Sequence, residues 1–166
     1  MRVGDIKRRV VTCVLASAML PAVPAMAAFD AYMTINGTKQ GHFKGEAMSE
    51  KISLTSVSHD VRMASGMTTG RRQHGEITIR REVDAASPKL FQALSTNEVL
   101  SDVTIVFHTS GARAGKAAQT INLKDARIVA DRKAGGSELI TIEYDTVMVT
   151  WTDGGKTATD DWEAPR

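Results

Sequence analysis

"VDAASPKLFQAL", residues 83–94, decides how the rest of the chain is read. Ser87 is a residue type favoured at helix N-caps, and Pro88 suits the first helical position. Leu90, Phe91 and Leu94 then recur at helical spacing, which predicts one amphipathic helix of about two turns with that face buried. A buried Phe91 and a capping Ser87 are the two expectations this reading places on the segment.

Outward from the helix, the pattern changes to period two. "FDAYMTI" places Phe29, Ala31, Met33 and Ile35 on one face. Asn36-Gly37 follows and predicts a tight hairpin, because both residues tolerate positive φ. "KISLTSV" points Ile52 and Leu54 inward. "GEITIRREV" does the same with Ile77 and Ile79 and sends Glu76, Thr78 and Arg80 outward. "SDVTIVFHT" aligns Val103, Ile105 and Phe107, and "QTINLKDARIVA" starts with Ile121 and Leu123. "SELITIEYDTVMVTW" aligns Ile140, Ile142, Tyr144 and Met148. At least six strands are predicted. "SGARAGKAAQ" and "KAGGSE" read as hairpin connections, and "HDVRMASGMTTGRRQHG" as a long glycine-bearing loop. So many strands with turn signals between them predict a mainly β fold, a sandwich or barrel. In that setting the short helix covers an open end or a sheet edge.

The N-terminus reads separately. Arg2, Lys7, Arg8 and Arg9 form a basic stretch, Val10 to Leu20 an apolar run of 11 residues, and Ala25-Met26-Ala27 a small-x-small cleavage site. Residues 1–27 are thus a predicted secretory signal peptide, the run being too short for a membrane span. Residues 28–166 form the remaining domain, of 139 residues with 17 basic and 18 acidic side chains, a net charge of −1 against +2 for the whole chain. That near-neutral domain, poor in aromatics, argues against nucleic-acid binding. Cys13, the single cysteine, lies in the leader, so the predicted mature domain has no disulfide and rests on its core.

No catalytic set is legible. His42, His59, His74 and His108 lie too far apart for a ligand motif and read as solvated side chains. "GGKT", residues 154–157, lacks the upstream glycine and strand–loop–helix context of a phosphate loop, Thr150 standing where that glycine belongs. Ser65 lacks the glycines of a nucleophile elbow. Asn36-Gly37-Thr38 matches a glycosylation sequon but is better explained as a turn. Asp160 and Asp161 are adjacent acids near the terminus. Arg71-Arg72 and Arg80-Arg81 are basic pairs, although Arg80 and Arg81 point to opposite faces of a strand. No metal or cofactor is expected.

"REVDAASPKLFQAL" resembles the signature segment of the Hcp (haemolysin-coregulated) tube proteins of bacterial type VI secretion. "AFDAYMTINGTKQG" is similar to that family's first strand and turn, "VTIVFHTSG", "INLKDARI" and "ITIEYDTVMVTW" to its later strands, and "DDWEAP" to the C-terminus of some members. The resemblance spans residues 28–166. It implies an antiparallel two-sheet β-barrel with one short flanking helix, hexameric rings that stack into a tube, and effector, spike and sheath proteins as partners. It implies no catalytic residue and no cofactor. The ring-stacking loop it implies is Asp60 to Gly75, with Asp60, Arg62, Gly66, Gly70, Arg71 and Arg72. The leader departs from the family, whose tube proteins assemble in the cytoplasm and leave through their own machine. Two placements follow: an exported, periplasmic or secreted protein, or a cytoplasmic tube subunit awaiting secretion if translation starts downstream. The contrasting function is an exported Hcp-like binding module outside the secretion machine.

Overall fold

The computed structural model describes residues 30–63, 72–73, 76–109 and 116–161. The predicted signal peptide and Gly66, Gly70 and Arg71 of the predicted stacking loop lie outside them.

The described chain is two antiparallel sheets around an aliphatic core, with one helix. The first strand, β1 (Ala31–Gly37), sits inside the larger sheet, beside β8 (Leu100–His108). The order from one edge is β13 (Lys156–Asp161), β12 (Thr146–Trp151), β9 (Ala117–Lys124), β8, β1 and β2 (Gly41–His42). β3 (Ile52–Leu54) pairs further along β1, beside β2. The smaller sheet runs β10 (Arg127–Ala134), β11 (Ser137–Glu143), β7 (Ile77–Glu82) and β4 (Ser56–His59). β5 (Arg62–Met63) and β6 (Arg72–Gln73) pair as a two-stranded ribbon. The chain changes sheet at Thr55, between β7 and β8 through residues 83–99, at Asp125 and at Asp145. Among the described residues the two sheets are packed layers and are not hydrogen-bonded into a closed barrel.

Period-two alternation is realised in the core: Met33, Ile35, Val103, Ile105, Ile121 and Leu123 of the larger sheet belong to one buried cluster with Ile77, Ile79, Ile140 and Ile142 of the smaller. Gly135 and Gly136 both have positive φ, 57° and 81°, as the tight β10–β11 hairpin requires.

Three sequence expectations change here. Asn36-Gly37 is not the first hairpin's turn. The strand runs through Gly37, the turn is 38–40, and Gly41 takes the positive φ of 65°. Gly37 is needed for a different reason: a Cβ there would collide with the Glu98 carboxylate. Met148 does not share a face with Ile140, Ile142 and Tyr144. The chain passes to the other sheet at Asp145, so Val147 points inward and Met148 outward. Phe107, expected inward, is only half-buried, packed against the rim of the core.

The helix, α1 (Ser87–Ser95), fills the open side of the sandwich beside edge strand β10. Leu90 and Ala93 are buried and Leu94 is half-buried against the core. It ends at Asn97, whose φ of 50° lets the Glu98 N–H reach Ala93 O at 2.9 Å.

Candidate functional site

Ser87 does not cap the helix, contrary to the sequence reading. Asp84 Oδ1 accepts from the Ala86 N–H at 2.7 Å, while the Asp84 N–H donates to Ser87 Oγ at 3.2 Å. This reciprocal pair satisfies two amide donors one turn earlier than expected. The Ser87 hydroxyl is thereby turned inward and donates to Glu138 Oε2 at 2.8 Å.

Glu138 is the centre of a charged row that is buried at Arg81 and Glu138 and exposed at Lys133. In register, Lys133 on β10, Glu138 on β11 and Arg81 on β7 lie side by side. Arg81 and Glu138 are both fully buried, 3.0 Å apart, and Arg81 also pairs with Asp84. Lys133 reaches Glu138 Oε1 at 2.6 Å and also pairs with Asp131. Burial alone would lower the Lys133 pKa, but the hydrogen bonds and charges of Asp131 and Glu138 hold it above its ordinary value. A row of alternating charge therefore fastens the start of α1 to three strands.

Phe91, expected in the core, is 60 % exposed. Its ring lies 6.0 Å from Lys133 Nζ, over the outer edge of that row. Leu90, its neighbour in sequence, takes the core position. Phe91 flanks the edge of β10, where Val129 forms a bulge and stands partly exposed.

A second polar clamp fixes the β1–β2 turn. The buried Glu98 carboxylate accepts from the N–H groups of Lys39 and Gln40 at 2.7 and 2.8 Å and from Gln40 Nε2 at 2.8 Å. Burial pushes its pKa up. The Gln40 side chain, the two backbone donors and the Lys39 charge outweigh this and hold the carboxyl below its ordinary 4.5. A depressed carboxyl stabilises the fold fully above the unfolded value and loses that contribution as pH falls through the folded one. Glu98→Gln is expected to cost about 1.5–3 kcal/mol at pH 7. It should also flatten the loss of stability below about pH 4.5, measured by urea unfolding across pH. A variant that keeps the wild-type acid limb would show that another carboxyl is responsible.

The outward face of the larger sheet is largely uncharged. One row across five strands reads Thr34, Thr104, Asn122, Met148 and Thr159. At one end Asp102 pairs with Lys124. Burial raises the Asp102 pKa, but Lys124, Asn122 and Thr104 together bring it below the ordinary value. The histidines are scattered, as the sequence implies, but not simply solvated. His42 is exposed. His59 Nε2 lies 2.7 Å from Tyr144 Oη, and His108 Nδ1 lies 3.2 Å from Asp30. Burial, with Asp160 nearby, pushes the Tyr144 pKa up to about 12. His74 lies outside the described residues. Gly154 and Gly155 form a turn before β13. Among the described residues no group of three or more His, Cys, Asp or Glu could hold a metal ion, and no helix is long and apolar enough to cross a membrane.

The two-sheet fold is shared with known proteins. The model of the family described as "Type VI secretion system effector, Hcp" matches residues 32–151. The chain belongs to the Hcp family. The "Major exported protein" of Pseudomonas aeruginosa is 31 % identical, over 81 % of this chain and 96 % of that protein. The "Secreted protein Hcp3 from Pseudomonas aeruginosa" has a solved structure that superposes with a TM-score of 0.70, at 28 % identity, over 80 % of this chain and 99 % of that one. A further crystal structure, titled only as an Hcp protein, gives a TM-score of 0.73 at 22 % identity, covering 83 % of this chain and all of that one. The chain is thus a type VI secretion tube protein by family, of a structural class rather than a known enzyme class.

The helix segment was legible because its residues are contiguous. The Arg81–Glu138–Lys133 row was not. Its members lie on three strands, and only the hairpin register and the β7–β11 pairing bring them together. The one available hint was an Arg at an inward position of "ITIRRE". Of the predicted stacking residues, Asp60 is exposed, next to His59 at the root of the β5–β6 ribbon, and Arg62 and Arg72 lie on the ribbon's strands.

Proposed function

We propose that this protein is a ring-forming tube subunit that assembles as hexamers, stacks, and carries or delivers effectors alongside spike and sheath proteins. Membership of the Hcp family carries the reading. The fold supports it physically. The larger sheet ends in two unlike edges, β13 on one side and β2 with β3 on the other. Unlike edges favour a head-to-tail contact, which closes into a ring when the rotation allows. The largely uncharged outward face, rich in hydroxyls, suits a channel wall that holds a passenger weakly.

The arm from Asp60 to Gly75, with its mixed charges, is assigned to ring-on-ring contact. Residues 1–27 are assigned as a cleaved leader, so that the protein works after export. The family match begins at residue 32, after the assigned leader, and the relative named for its export supports a protein that works outside the cell. The exported binding module remains the contrasting reading, since the leader departs from the family's usual route.

One experiment covers these assignments. Protein recovered from the culture medium is expected to begin at Ala28 and to show a native mass six times that of its subunit. Removing residues 64–71 should leave the thermal midpoint nearly unchanged and shorten stacks seen by negative stain. A monomeric mass from micromolar to millimolar concentration would sink the ring. An intact Met1, or a start near Met26, would sink the export assignment.

A further inference from the structure

The Arg80-Arg81 pair divides between the two faces of β7. Arg81 enters the charged row described above, and Arg80 stands exposed on the outer face of the smaller sheet. In register across that face, Arg80 on β7 lies beside Leu139 on β11, and Leu139 lies beside Arg132 on β10. Arg132 is also exposed, and Leu139 between them is half-buried. Ser56 flanks Arg80 on its other side, and the adjoining outward row reads Ala130, Thr141, Thr78 and Ser58. These eight positions hold two cations and no carboxylate. On the inward side Arg81 and Lys133 are held by carboxylates. On the outer side neither Arg80 nor Arg132 makes an ion pair or a side-chain hydrogen bond among the described residues.

The spacing identifies what fits the row. Neighbouring strands lie about 4.8 Å apart, so the two arginines stand about 10 Å apart with Leu139 midway. A helix rises about 1.5 Å per residue, so positions i, i+4 and i+7 on one face repeat those two steps. Same-face residues of an extended strand advance about 6.8 Å and fall out of step. The complementary order is acid, apolar, acid. Each guanidinium can take a carboxylate through two parallel hydrogen bonds, and Leu139 supplies the apolar contact between them. Helix α1, the only α-helix among the described residues, carries no acidic side chain, so a second copy of that helix does not match.

We propose that the Arg80–Leu139–Arg132 row is the docking site for an acidic amphipathic helix of another protein, with carboxylates at i and i+7 and an apolar residue at i+4. The contact is independent of the stacking proposed above.

The test uses the full chain and a labelled alanine-based peptide of about 18 residues, long enough to be helical, with Glu at i and i+7 and Leu at i+4. Binding is read by fluorescence anisotropy. Arg80→Ala and Arg132→Ala should each weaken it roughly tenfold, with native mass and thermal midpoint unchanged. The charge-swapped protein, Arg80→Glu with Arg132→Glu, should lose this peptide and bind the version with Lys in place of both Glu. No binding by the unmodified protein up to millimolar peptide, or wild-type binding by either alanine variant, would overturn the site. Equal affinity for a peptide of the same composition with its acids at i and i+5 would overturn the helix match. Displacement of the peptide by an equal concentration of short RNA would make the row a general anion surface and overturn the proposal. A changed native mass in the alanine variants would make it a contact between copies of this chain, with the same consequence.

Discussion

Replacing Glu138 with alanine is expected to destabilise the protein by about 3–5 kcal/mol, because it leaves the fully buried Arg81 without its partner on β11. The thermal midpoint should fall by roughly 10–20 °C. Arg81 keeps Asp84, but that carboxylate is partly solvated and also holds the turn at Ala86. Ser87 loses its acceptor and Lys133 loses one of two carboxylates in the same change. The control is the double variant Arg81→Met with Glu138→Leu. Desolvating two charges cancels much of what their attraction supplies, so an apolar pair of similar volume should recover most of the lost stability. Thermal and urea unfolding of both variants decide the matter. A Glu138→Ala protein within about 1 kcal/mol of wild type would mean that water reaches Arg81 and that the row is not a buried unit.

Leu90→Ala is the second large effect, with an expected cost of about 2–5 kcal/mol. Leu90 is fully buried where α1 fills the open side of the sandwich, and sheets on both sides limit how far the cavity can collapse. Phe91→Ala, one residue away, should cost less than about 1 kcal/mol, since most of that ring is already in water. The contrast is the informative part. Equal losses at the two positions would mean that Phe91 is covered in the assembled protein, and the measurement should then be repeated below the concentration at which rings form.

Helical spacing alone does not separate those two positions. Leu90, Phe91 and Leu94 share a face on any helical wheel, so the sequence marks all three as candidates for burial. Which of them meets the core depends on how α1 is rotated over the gap beside β10. That rotation is set by the Asp84–Ala86 turn before the helix and by the Ser87–Glu138 hydrogen bond. Both involve partners that helix periodicity does not contain. The Asn36-Gly37 expectation misled for a similar reason. The dipeptide has turn chemistry, but its glycine serves a close approach by Glu98, a residue 61 positions away.

What the sequence by itself determined was local and periodic. The alternation of apolar side chains specified the strands, the two glycines after Ala134 specified a tight hairpin, and "SPKLFQAL" specified a helix. The contiguous segment around that helix also carried the family, now established by the match over residues 32–151. Tertiary structure alone decided the charged row, the sheet change at Asp145 that turns Met148 outward, and the exposure of Phe91 and Trp151. These depend on strand register and on where one sheet stops covering the other. Register joins residues that are far apart in the chain, and a residue's own neighbours in sequence do not encode which strand will lie across from it.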